Sequence, residues 1–188
     1  MSKIKSNYKN PLAYYDLAHF LKDHINKDTV IVCIGTDKYI GDCLGPLVGT
    51  LLKCKHFPLP VYGTIPEPIH ALNIESKLNE IKLLHPNNNI IGIDACLGDH
   101  EAIGEIQARD FPVHPGKGVG KSLPNVGDSS IIGIVDSNSS EDVFSNTSNI
   151  RLNLILNMAE VILYSLIHSY YLYSVSYTHL RAHETELH

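Results

Sequence analysis

At 188 residues, 44% hydrophobic and 19% charged, the chain has the length of one globular domain and enough apolar content to bury a sizeable core. A net charge of -5 supplies no basic field for a phosphate backbone, which argues against nucleic acid as a partner. Cys33, Cys43, Cys54 and Cys96 form no Cys-x-x-Cys pair and no secretory leader is read, so the expectation is free thiols in a reducing cytoplasm, with cysteine-held zinc disfavoured.

Leu12 to Ile25 alternates apolar and polar residues at helical spacing behind Asn10 and Pro11, and predicts a first helix. Thr29 to Gly35 is a continuous apolar strand; beyond a loop, Pro46 suits the first turn of a helix running through Leu52. Val61 to Ile65 is a short strand, Ile69 to Leu84 an amphipathic helix, and Asn89 to Cys96 the next buried strand. Ala102 to Asp110 reads as an exposed strand, Pro112 to Leu123 as a glycine-rich loop, and Ser130 to Asp136 as another apolar strand.

Leu152 to Tyr173 is the one segment greasy enough to suggest a membrane helix. Asn153, Asn157, Glu160, Tyr164 and His168 recur every three or four residues, and that polar stripe predicts a long helix packed on a sheet with one wetted face, not a membrane span. Beyond it, Val175 to Thr185 looks like translated adapter read-through, so residues 174–188 are set aside as a non-native tail. His179 and His183 share a metal-ligand spacing, but a zinc-protease helix would need Glu where Leu180 stands. No repeat or Pro/Ser linker divides residues 1–173. Together these elements predict one domain of α/β class, a three-layer α/β/α sandwich around a mixed, mostly parallel sheet.

Two aspartates stand at strand ends: Asp42 in Ile40-Gly41-Asp42-Cys43-Leu44-Gly45-Pro46, and Asp94 in Ile90-Ile91-Gly92-Ile93-Asp94-Ala95-Cys96. Open α/β folds place their chemistry at the carboxyl edge of a parallel sheet, where both would lie. An aspartate after a strand is often only a turn former or helix cap. Two of them converging is different, because close carboxylates cannot both ionise cheaply: one keeps a proton while the other takes one from water.

The loop from His114 to Ser122 ends in Gly120-Lys121-Ser122 like a phosphate-binding loop. Pro115 replaces the glycine that motif needs, and no helix follows, so nucleotide binding is set aside. The reading preferred is a loop in which Gly116, Gly118 and Gly120 let backbone amides approach a substrate, with His114 at its head. Asp37 could hold a basic substrate group or be merely solvated. His70 or His114 could complete a two-carboxylate, one-imidazole metal site, although a lone histidine is more often just hydrogen-bonded. Cys43 and Cys96 adjoin the aspartates without a His/Asn constellation, and read as packing.

Across Leu12 to Tyr173, Gly35-Thr36-Asp37, Gly41-Asp42-Cys43-Leu44-Gly45-Pro46, Tyr62-Gly63-Thr64, Ile93-Asp94-Ala95-Cys96-Leu97-Gly98 and Pro115-Gly116-Lys117-Gly118-Val119-Gly120 occur in order. With these motifs the chain resembles the YyaC-type sporulation proteins, distant relatives of the spore germination protease. The resemblance implies a phosphorylase/hydrolase-like fold shared with hydrogenase-maturation endopeptidases, and places the germination protease's two catalytic aspartates on Asp42 and Asp94. In the maturation enzymes the matching carboxylates contact a metal with a histidine, for which no counterpart is assigned here. Zymogen control and the spore-protein substrate do not carry over, since the chain is short and shows no propeptide. The expectation is a cytoplasmic peptidase of the sporulating cell or spore interior, acting without metal or cofactor on a protein or peptide, with homo-oligomerisation open. The alternatives are a metal-dependent maturation-type endopeptidase and a non-catalytic peptide-binding or regulatory protein.

Overall fold

A computed structural model describes residues 1–116, 123–137 and 150–185, with side chains of the last helix described through Ser176. Six strands, β1 (Lys3–Asn7), β2 (Val30–Cys33), β3 (Val61–Tyr62), β4 (Ile90–Gly98), β5 (Glu105–Arg109) and β6 (Ser129–Ser137), form one sheet in the order β1-β5-β6-β4-β2-β3. The helices are α1 (Ala13–Leu21), α2 (Leu44–Cys54), α3 (Ile74–Leu84) and α4 (Leu152–Thr185). Strands β3, β2, β4 and β6 are parallel neighbours, while β5 runs antiparallel to β6 and to β1. The three-layer sandwich around a mixed, mostly parallel sheet is therefore the observed architecture.

Side chains alternate across a strand, so each buried strand feeds two cores. Ile31, Cys33, Ile91, Ile93, Ile131 and Val135 face a core closed by α1, α2 and α4. Val30, Val32, Ile34, Ile90 and Ile132 face a smaller core under α3 and the Val113 and Val126 segment. That explains why β2 and β4 read as unbroken apolar runs. The same alternation puts Asp94, four residues beyond Ile90, on the α3 face of the sheet.

The polar stripe of α4 lies outward, with Asn153, Glu160 and Tyr164 exposed. Its opposite side, Ile155, Met158, Ala159, Ile162, Leu163 and Leu166, is at most 2% exposed, the spacing of an amphipathic helix against a core. Each large apolar side chain so buried contributes roughly 1.5–3 kcal/mol. Leu152–Ser176 is long and apolar enough to cross a membrane by length and composition; in the fold its buried stripe packs on α1, α2 and β6. The backbone of residues 174–185 continues α4.

Several boundaries differ from expectation. Strand β1 was not anticipated, because Ile4 is the sole apolar residue in Lys3–Asn7 and an edge strand needs no alternating pattern. Its partner β5 was expected to be exposed, yet Ile106 and Ala108 are fully buried because β5 lies between β1 and β6. Helix α1 ends at Leu21, short of Ile25. Helix α3 begins at Ile74 rather than Ile69: Ile69 bridges to Ile34, and His70 to Asn73 make a turn in which the His70 amide donates to Asn73 Oδ1 at 2.8 Å.

Candidate active site

The carboxyl ends of β2 and β4 open into a cleft of about 750 Å³ lined by Asp42, Asp94, His70, Arg109, His114 and Gly116, among others. The chain makes the Asp42 arm by a tight reversal after β2. Gly35, at φ 133°, donates its amide to the Ile69 carbonyl at 2.8 Å, and a side chain on it would run into the Asp42 backbone carbonyl. That carbonyl accepts the Thr36 amide at 3.0 Å, and a single 3-10 turn, Ile40–Asp42, then delivers the chain to α2. Leu44 is fully buried, Gly45 lies against the Ile34 carbonyl where a Cβ would not fit, and Pro46 occupies the first helical turn, which needs no amide partner. The Asp-x-Leu-Gly-Pro motif is thus a device for pressing α2 onto the end of β2 with Asp42 held at the rim.

Asp94 stands on β4 itself, in register with Ile132 of β6, while the neighbouring Ile93 carbonyl accepts the Ile34 amide at 2.7 Å. Its Oδ1 accepts the Ala95 amide at 2.9 Å. Both aspartates keep an edge toward the cleft, and both are held above the ordinary carboxylate range. Burial pushes Asp42 up to about 6, against the opposing pull of the Thr36 amide and the charge of His70. Asp94 is raised well above its usual value, first by burial and then by the charge of Asp42, with the Ala95 amide and Arg109 pulling it down. The charge of Asp42 thus opposes ionisation of Asp94, so the pair resists carrying two negative charges at once.

His114 lines the cleft, with Nδ1 and Asn125 Oδ1 2.6 Å apart. Oδ1 can only accept, so Nδ1 is the donor in this contact. At His70 the polarity is opposite: Nδ1 accepts the Leu72 amide at 3.3 Å, so the neutral ring carries its proton on Nε2. Gly116 reaches the cleft with φ 84°, whereas Gly118 and Gly120 lie outside the described residues. Asp37 is exposed and not among the residues lining the cleft; its charge acts on Cys43 instead. The thiol of Cys43 is raised by burial, Asp37 and Asp42, and that of Cys96 is pushed up to about 11, chiefly by burial and Asp94. Both stay protonated thiols, poor nucleophiles.

Among the described residues no three His, Cys, Asp or Glu side chains converge closely enough to hold an ion.

Arg109, at the end of β5, is the site residue that sequence reasoning missed. It lines the cleft half-buried, donates from Nε to Ser130 Oγ at 3.1 Å, and stacks its guanidinium 4.8 Å from the centre of the Phe111 ring. Period two in Glu105-Ile106-Gln107-Ala108-Arg109 carries the signal, since Arg109 falls opposite the buried Ile106 and Ala108. Only an interior placement of β5 turns that polar face toward Asp94.

Residues 5–165 match the family described as "Protein of unknown function (DUF1256)". The chain is also 46% identical over 147 residues, 78% of its own length and 71% of the relative's, to "Uncharacterized protein YyaC" of Bacillus subtilis (strain 168). The matched residues include both aspartate loops and Arg109 within one continuous family span, and on that basis the chain belongs to the DUF1256 family.

Proposed function

We propose that the protein is a peptidase that hydrolyses a protein or peptide with an aspartate pair. The observation that carries this reading is the convergence of two carboxyls, Asp42 and Asp94, on one cleft, both raised by burial and Asp94 also by the charge of Asp42. A pair in which one carboxyl holds a proton while the other is ionised suits the two jobs of amide hydrolysis. Asp42, ionised, takes a proton from a water whose oxygen bonds to the peptide carbonyl carbon, and the carbonyl π pair moves onto oxygen. When the tetrahedral species collapses, the C–N bond breaks and the departing nitrogen takes the proton of Asp94. Exchange of one proton with solvent or between the carboxyls restores the starting state. The setting in sporulation, and the cytoplasm of the sporulating cell, belong to the same proposal and rest on the motifs shared with YyaC-type proteins and the germination protease.

The experiment is digestion of a mixed peptide library by the purified protein near pH 7, read by mass spectrometry, beside Asp42→Asn and Asp94→Asn. The proposal expects defined cleavage products that vanish with either substitution. Equal products from all three proteins, or none from the wild type, would overturn it.

A further inference from the structure

The cleft holds a cation, Arg109, that no ion pair among the described residues neutralises. Among the described residues Arg109 forms no ion pair; the ion pairs there join Met1 to Asp110, Lys5 to Glu105, Lys27 to Asp28 and Lys77 to Glu80. Asp94, whose charge it senses, forms no ion pair with it. The guanidinium is also fixed in place. Ser130 Oγ accepts from Nε and passes its own proton to the Phe111 carbonyl at 2.7 Å, while the Phe111 ring backs the planar face. Nε is thereby spent, and the Nη groups have no protein acceptor among the described residues. The Nη–H groups are therefore free to meet an acceptor brought into the cleft that Arg109 lines.

We infer that Arg109 is the oxyanion-binding residue of this site, its Nη–H groups receiving the carbonyl oxygen of the scissile amide as negative charge develops on it. This inference rests on the peptidase reading. Two placements favour it over recognition of a distant substrate side chain. Arg109 shares the cleft floor with Asp94 and Cys96 and acts electrostatically on both, so an atom attacked by water beside the aspartates forms within its reach. Its clamp on Ser130 and Phe111 also fixes the donors beforehand, the arrangement that makes an oxyanion hole effective without reorganisation. In the balanced step above, the carbonyl π pair comes to rest on oxygen beside Arg109, and returns to carbon when the amine leaves.

The test uses Arg109→Gln and Arg109→Lys in the full chain, with thermal unfolding to confirm that each folds despite the altered Ser130 contact. With a library peptide cleaved by the wild type, Arg109→Gln is expected to lower kcat about 10²–10³-fold, the effect of deleting one oxyanion donor, while KM changes less than about threefold. Lysine, which keeps charge but not the planar fork, recovers part of the loss. A second arm measures calorimetric binding of an acetyl-Ala-Ala amide analogue in which the central amide is replaced by an anionic phosphinate. The wild type should bind it more tightly than the parent dipeptide, and Arg109→Gln should lose that preference while the parent's affinity stays unchanged. Unchanged kcat in both variants of an active enzyme overturns the inference and leaves the peptidase standing. Arg109-dependent phosphinate binding by a wild type that cleaves nothing overturns the peptidase and the oxyanion role, leaving only an anion site. No Arg109-dependent preference in folded variants overturns the inference in either case.

Discussion

Asp42 and Asp94 reach the same cleft by different routes, and the routes decide their protonation. Asp94 rides on a central strand, flanked by β2 and β6, with one backbone amide to support a negative charge. Asp42 sits on a turn at the rim, where the Thr36 amide and the charge of His70 both favour ionisation. Burial raises both, but the strand position is the deeper and also bears the repulsion of its partner. Two copies of one residue type thus become an acid and a base through the elements that carry them.

The comparison breaks most visibly if either role is removed. Asp42→Asn and Asp94→Asn are each expected to lower kcat by at least about 10³-fold, at the upper part of the range for a lost general acid or base, in single-turnover assays. Comparable loss from both would mark a pair acting as a unit; a large loss from Asp42→Asn alone would reduce Asp94 to a structural residue.

Next in size is the turn that carries Asp42. Gly35→Ala strains a left-handed φ and pushes a methyl into the Asp42 carbonyl. It is expected to cost about 1–3 kcal/mol in denaturant unfolding and to reduce activity beyond what that loss explains. An alanine that leaves both unchanged would show the reversal to be more tolerant than its geometry.

Stability against pH sharpens the contrast without any substrate. Carboxyls in the unfolded chain titrate near pH 4. With folded values raised above that, the native protein binds the extra protons, so stability falls as pH rises above about 4, through about 6 for Asp42 and through the raised folded value of Asp94. Asp94→Asn keeps an oxygen for the Ala95 amide and removes the ionisable group, so its melting temperature at pH 8 should exceed the wild type's, by about 2–4 °C for each kcal/mol regained. A lower melting temperature would show that the carboxylate is stabilised in the folded protein.

The smallest effect concerns His70. The acid limb of kcat/KM should lie near pH 6 and reflect Asp42, faced by His70 and by Asp94. His70→Gln removes a charge that favours ionised Asp42 and should move the limb upward by less than one pH unit. A downward move would contradict the assignment.

Much of this site was legible in the sequence because parallel strands buried on both faces leave continuous apolar runs. Those runs ended at Gly35 and Asp94, and so located the carboxyl edge before any coordinates. The depth of each carboxyl was not legible, since it depends on which strands flank it. Arg109 was hidden for a related reason: Glu105 to Arg109 looks like a solvated strand until β1, itself nearly devoid of apolar signal, covers its edge. Asp37, equally prominent by sequence, points to the contrary lesson, since it belongs to the same loop yet lies exposed outside the cleft lining.

The most direct measurement is a carbon-13 NMR titration of the two carboxyl carbons, assigned with Asp42→Asn and Asp94→Asn. The account predicts one midpoint near 6 from Asp42 and a second, from Asp94, well above the ordinary carboxylate range. Two independent midpoints near pH 4 would contradict it, leaving two ordinary carboxylates and no acid and base pair.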